Sequence, residues 1–156
     1  MQRTYRKIHL DFHTHPGVRG VCDRFHPEEF ADTLAEARVD NVVLFAKDHY
    51  GHAFFESGIC PPHPHLGDDF LPLAVEACHA RGIETEAYIS VCCDYLTYKA
   101  HPEWACINRD GTVARWSEVS ILLDLASPLI EEAALPITEE ITRNIPVDGL
   151  WFDIVM

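Results

Sequence analysis

Asp153 is the residue with the clearest chemical potential, set in the run DGLWFDIV after Leu150, Trp151 and Phe152. An unpaired carboxylate buried at the end of such an apolar strand costs several kcal/mol, so Asp153 must be hydrogen-bonded, paired or catalytic. A loop-capping aspartate is the plain structural alternative. In glycoside hydrolysis a carboxylate attacks the anomeric carbon while a second acid protonates the leaving oxygen, and retaining enzymes hold the pair about 5 Å apart. Asp153 suits the nucleophile's part. The loop carboxylates available as its partner are Glu103 and Glu118, and neither sits in an acid/base motif.

Ten histidines add a second set of candidates, because several fall in close pairs: His13/His15, His49/His52 and His63/His65. Such pairs suit metal ions or polar ligands such as sugars. A strand-end HxH like that of LDFHTHP opens many metal-dependent amidohydrolase and phosphoesterase barrels, where two imidazoles hold an ion that activates water. That alternative uses His13 and His15 and needs further ligands from later strands. The sugar-binding reading requires neither metal nor cofactor. Lys47 shares a strand face with Val43 and Phe45, which lets it face a site and pair with a carboxylate such as Asp153. With Asp94 and Tyr95 at the next strand end, the candidate substrate-binding residues are His13, His15, Lys47, His49, Asp94 and Tyr95. The loop aromatics Tyr50, Tyr95, Trp104 and Trp116 can either stack on sugar rings or pack.

The elements that must position these residues recur as strand, loop and helix about every 40 residues, the rhythm of βα units. Strands are predicted at 7–12, 41–46, 84–91 and 149–155. The second, NVVLFA, is apolar throughout, as a parallel strand buried on both faces should be. A helix is expected from Pro27, which fits the first helical position, with Glu28 and Glu29 at the positive end of its dipole and Phe30, Leu34 and Ala37 at helical spacing. The next helix spans 68–81 and is stopped by Gly82. Another runs over 128–144, with Ser127 and Pro128 at its start and a kink at Pro136. The stretch 120–125 reads either as extended chain or as a lead into that helix.

Alternating β and α elements imply a parallel sheet with right-handed crossovers. The glycine fingerprint of a dinucleotide fold is missing, while polar residues gather after each strand, the habit of the parallel (β/α)₈ barrel. A barrel of that kind takes about 250 residues. The 156 residues therefore read as one unit, the N-terminal half of an α/β TIM barrel truncated after its fourth strand.

Composition narrows the class further. A hydrophobic content of 47% supports a packed core, and a net charge of -13 disfavours nucleic acid and anionic membrane surfaces as partners. The opening MQRTYRKIHLDF holds no apolar stretch of signal-peptide length and no run of about 18 apolar residues occurs, and six cysteines without CxxC spacing suit reduced thiols, so a cytoplasmic protein is expected. An open half-barrel exposes the edges of its first and fourth strands, so it is expected to form a homo-oligomer or to need the remainder of a longer chain. Alone, it is expected to lack glycosidase activity. A non-catalytic carbohydrate-binding relic is a further reading, because no convincing general acid is present.

Several motifs occur in a fixed order: FAKDHYG (45–51), HPHL (63–66), EACHARGIETEAYISV (76–91), HPEW (101–104) and DGLWFDIV (148–155). Together they resemble a family of hypothetical glycosyl hydrolases expected to be barrels. More distantly, AKDHYG resembles the AKHHDG-type segment of alpha-L-fucosidases, and LWFD resembles their nucleophile strand. The resemblance implies hydrolysis of O-glycosidic bonds in a carbohydrate substrate, with His49 binding sugar and Asp153 as nucleophile. The fucosidases' first histidine is replaced here by Asp48, and the aspartate of their motif by Tyr50.

Overall fold

The computed structural model describes residues 6–156. Four strands, β1 (Lys7–His9), β2 (Asn41–Lys47), β3 (Glu84–Ser90) and β4 (Gly149–Asp153), form one parallel sheet in the order β1-β2-β3-β4. Sequential parallel order is what βα units give when each helix crosses back over the same face. The sheet is curled. A flat sheet would set β1 and β4 about 14 Å apart, yet the rings of His9 and Trp151 lie 5.3 Å apart and Lys7 Nζ sits 4.6 Å over the Trp151 ring. The architecture is thus an α/β half-barrel with Lys7, His9, Phe45, Glu86, Tyr88 and Trp151 in contact across its concave face.

Helix α1 (Pro27–Glu36) begins at the expected proline with Glu28 and Glu29 in its first turn. It buries Ala31 and Leu34 and packs Phe30 at the core's edge, whereas Ala37 is the exposed C-cap. Helix α2 (Phe70–His79) is buried along Phe70, Leu71, Ala74, Val75 and Cys78. Gly82 at φ 70° ends it as a left-handed residue, with the Ile83 N–H returning to Cys78 O. Asp69 stands at its N-cap, but its carboxylate accepts from the Glu56 N–H in the preceding loop.

The first and fourth strands are shorter than predicted. The ladder after β1 gives one further bond, Leu10 N–H to Val43 O. Phe12 then leaves the sheet to stack on Phe45 at 4.6 Å and meet the rings of Phe54 and Phe70 edge-on. The ring's burial ends the strand. Past Asp153, Ile154 takes φ 55°, a conformation that β-branched residues disfavour and that breaks β4.

The segment after β3 holds more order than a loop. A short helix, α3 (Tyr95–Ala100), is followed by a 3₁₀ turn (Pro102–Trp104) and by chain that doubles back through the bridges Ile107↔Val113, Arg115↔Ile121, Ala105↔Leu123 and Cys93↔Leu122. The stretch 120–125 is accordingly extended. It closes a second apolar cluster of Val91, Cys92, Trp104, Leu123 and Leu129. The expected kink at Pro136 takes the form of a wide π turn (Ile130–Ala134) leading into α4 (Leu135–Asn144). Pro136 has no N–H to offer Glu132 O, and in the turn before it the Leu135 N–H reaches five residues back to Ile130 O.

All six cysteines are free thiols. Among the described residues no helix is long and apolar enough to cross a membrane.

Two measurements check the frame. Phe54 lies in a loop yet is fully buried against Phe12 and Phe45, so Phe54→Ala should cost about 3–5 kcal/mol in urea unfolding, where an ordinary loop change costs little. At the opposite end of the sheet, Asp148 accepts from the Thr85 N–H and His79 at 2.8 Å each. Burial pushes its carboxyl up, but these bonds outweigh it and hold the pKa below the usual carboxylate value. The stability they contribute is present above the unfolded pKa of about 4 and is lost as pH falls through the lowered folded value. Asp148→Asn should flatten that acid limb of the stability profile, and an unchanged limb would assign it to other carboxylates.

Candidate functional site

The segment after β2 builds the site, and each residue of KDHYG has a separate task. Lys47 turns to Asp94 at 2.8 Å and donates to Ser90 O at 2.8 Å, so it ties β2 to the end of β3. The pairing with Asp153 that the strand pattern allowed is not the one formed. Asp94 is buried, and its carboxylate accepts from Lys47 and from the Thr97 N–H as the N-cap of α3. Burial alone would raise its pKa, but the charge of Lys47 and these hydrogen bonds overcome it and hold the carboxyl below its ordinary value. Lys47 and Asp94 therefore hold the framework together beneath the site.

Asp48 stands where the fucosidase motif has its first histidine. It is fully buried and accepts from three backbone N–H groups, those of Thr14, Tyr50 and His52. Burial pushes its pKa up to about 6 against the pull of those donors. The Thr14 bond carries the loop of β1 to the loop of β2. His63, in HPHL, adds a second stitch, since its Nε2 meets His15 O at 3.2 Å while its Nδ1 accepts from the His65 N–H.

These stitches place His13 flat on His49, with ring centroids 3.9 Å apart and planes 8° from parallel. The His49 N–H donates to His13 Nδ1 at 3.1 Å, which leaves the proton of a neutral His13 on Nε2. His13 Nε2 lies 3.3 Å from Tyr88 Oη, and Tyr88 Oη donates to Asp153 Oδ2 at 2.7 Å. A directed chain of hydrogen bonds thus runs from the β2 loop through His13 and Tyr88 to Asp153. Burial lowers the pKa of His13 and, with the neighbouring His13 charge, lowers that of His49 to about 4, so both rings are neutral near pH 7. Burial and the bond to Asp153 raise the Tyr88 phenol, which keeps its proton. His49 Nε2 is buried without a hydrogen-bond partner.

The structure brings together His13, His49 and Asp153 and separates the others. His15 accepts from the Gly17 N–H and meets Tyr50 edge-on at 5.6 Å. Both ring nitrogens of His13 are engaged, and among the described residues no group of three or more His, Cys, Asp or Glu is arranged for a metal ion. Tyr95 opens α3, its N–H bonded to His49 O. Trp104 is buried and stacked on His101 at 3.9 Å, a packing residue.

Sequence reasoning passed over Tyr88 and Asp11. Tyr88 lies in the middle of β3, where Glu86, Tyr88 and Ser90 alternate with Ala87 and Ile89, and that alternation was the available signal. Asp11 comes 3.8 Å from His13 Nε2 and is the carboxylate of the β1 loop nearest the ring pair.

With this geometry in place, the comparisons with known proteins are direct. Residues 26–154 match the model of the family described as Hypothetical glycosyl hydrolase 6. The chain belongs to that family. No curated protein matches it. Among solved structures it is similar to alpha-L-fucosidase isoenzyme 2 from Paenibacillus thiaminolyticus, with 29% identity and a TM-score of 0.89 over 99% of this chain and 24% of that one. The chain therefore spans about a quarter of that enzyme's length. A hypothetical protein from Ruminiclostridium thermocellum shares the fold at 16% identity and a TM-score of 0.68, over 96% of this chain and 75% of its own. The Thermotoga maritima alpha-fucosidase, solved in complex with fucose, does so at 18% and 0.61, over 84% of this chain and 29% of that chain.

Two readouts test the site's electrostatics and stitching. The His49 imidazole signals should stay flat from pH 8 to 5 and titrate near pH 4; a midpoint near 6.5 would mean that the stack does not exclude water. Asp48→Asn keeps an acceptor for Tyr50 and His52 but turns an NH₂ group on the Thr14 N–H. Exchange of the Thr14 amide should then quicken by roughly tenfold or more, as a lost hydrogen bond allows.

Proposed function

We propose that this chain supplies the nucleophile side of a glycoside hydrolase site, with Asp153 attacking the anomeric carbon and His13 and His49 binding the sugar. The observation that carries the reading is Asp153 itself, at the C-terminal end of β4 with one oxygen fixed by Tyr88 and the stacked histidines beyond it. Barrels of successive βα units assemble their chemistry at these strand ends, and closure of this half by further βα units completes the enclosure.

Tyr88 holds Oδ2, which leaves Oδ1 as the attacking atom. Attack breaks the bond from the anomeric carbon to the leaving oxygen and forms a glycosyl ester on Asp153, while a second carboxylic acid protonates the departing oxygen. Water then hydrolyses the ester. Unpartnered His49 Nε2, on a neutral ring, is suited to a sugar hydroxyl. Membership in a glycosyl hydrolase family and the likeness to fucosidases support this reaction class. The first substrate to try is an aryl alpha-L-fucoside.

In the complete protein that carries this chain, Asp153→Gly should lower kcat by about 10³-fold or more, as loss of a nucleophile does. Added azide should restore turnover and yield a glycosyl azide. Tyr88→Phe should cost about 10–100-fold in kcat with little change in KM, as expected of a group that orients the nucleophile. Near-normal hydrolysis by Asp153→Gly would reduce Asp153 to a structural role.

A further inference from the structure

The chain that doubles back after β3 encloses, against α3, an open cleft of about 630 Å³ lined by Tyr95, Tyr98, Asn108, Arg115, Glu118 and Ile121. That volume falls within the range of small-ligand sites. Tyr95 and Tyr98 of α3 bring their rings to its near wall, with centroids 6.4 Å apart.

The cleft is built rather than incidental. Its far wall is pinned by the bridges Ile107↔Val113 and Arg115↔Ile121, and Asn108 Nδ2 donates to Thr112 Oγ1. Its near wall is pinned to the candidate site itself. The Tyr95 N–H donates to His49 O and the Leu96 N–H to Tyr50 O, so the first turn of α3 cannot move without the loop that carries His49. Among the described residues, Arg115 and Glu118 make no side-chain hydrogen bond or ion pair, which leaves a forked donor and a paired acceptor on the same rim.

Rings for the apolar face of a pyranose and planar polar groups for its hydroxyls are the chemistry of a neutral sugar. We propose that this cleft binds the saccharide on the leaving-group side of the scissile bond, an assignment that rests on the glycosidase reading for its role but not for its ligand. Tyr95 and Tyr98 supply stacking surfaces, and Arg115 and Glu118 bind adjacent hydroxyls. One positive and one negative group on the rim, in a chain of net charge -13, suit a neutral unit better than an acidic one.

The test uses the complete protein and the double variant Arg115→Ala, Glu118→Ala, both exposed positions whose loss leaves the core intact. Lactose, cellobiose and N-acetyllactosamine are titrated separately by calorimetry. At least one should bind the wild type, and the variant should weaken that binding by roughly tenfold or more. On hydrolysis, the variant should lose roughly tenfold in kcat/KM on a disaccharide substrate and stay within about twofold on the aryl glycoside of the same sugar. Binding by none of the three sugars, or binding equal in wild type and variant, overturns the assignment. Sugar binding that the variant abolishes, in a protein that hydrolyses no glycoside, upholds the cleft and overturns the glycosidase reading instead.

Discussion

The buried ion pair between Lys47 and Asp94 is the constraint on which the rest of the site depends. Both side chains are almost wholly out of water, and removing either partner from such a pair strands a charge at a cost of about 3–5 kcal/mol. Lys47 belongs to β2, Asp94 starts α3, and the same ammonium holds Ser90 O at the end of β3. Gly51 sits so close that a Cβ there would lie 2.3 Å from Asp94 Oδ1, and its φ of 92° suits only glycine. One lysine, one aspartate and one glycine thus fix where the β2 loop can run.

The rest of the candidate site is hung from that loop. Asp48 gathers three amide groups, His49 lies under His13, and the carbonyls of His49 and Tyr50 receive the first turn of α3. Neutral rings and a protonated phenol then lead to a carboxylate, an order of groups that needs no mobile proton near pH 7. Preorganised polar groups of this kind cost no rearrangement when charge develops. The motif FAKDHYG is therefore less a set of ligands than a frame that leaves one buried imidazole nitrogen, His49 Nε2, without a partner.

Much of this frame was legible in the sequence. Parallel strands in sequential order, the helix start at Pro27 and the stop at Gly82 follow from periodicity and turn chemistry, while attention fell on Asp153 through the expense of a buried carboxylate, on His13 through the paired histidines and on His49 through the family resemblance. What was not legible depended on contacts between distant segments. Nothing local shows that Phe12 leaves its strand for Phe45 and Phe54, or that Lys47 chooses Asp94 over Asp153. Tyr88 was hidden because a tyrosine in a buried strand is ordinarily packing, and its hydroxyl matters only through partners 65 and 75 residues away. Residues 95–123 defeated periodicity because their pairing consists of single bridges rather than ladders.

The wide turn before α4 sets how long the chain must be between its two apolar clusters. Ile137 and Ile141 face the main core, while Leu129, Ile130, Ala133 and Ala134 face the second cluster. A uniform helix advances about 100° per residue, so a stretch with one residue too many rotates everything before it by that angle. The surplus residue acts as a gear between two apolar bodies whose directions do not share a common period. Shortening the stretch by a single codon would restore a regular helix and swing Leu129 and Ile130 away from Trp104 and Leu123. The number of residues in this segment is therefore itself a packing constraint, since one deletion would displace every apolar contact before it at once.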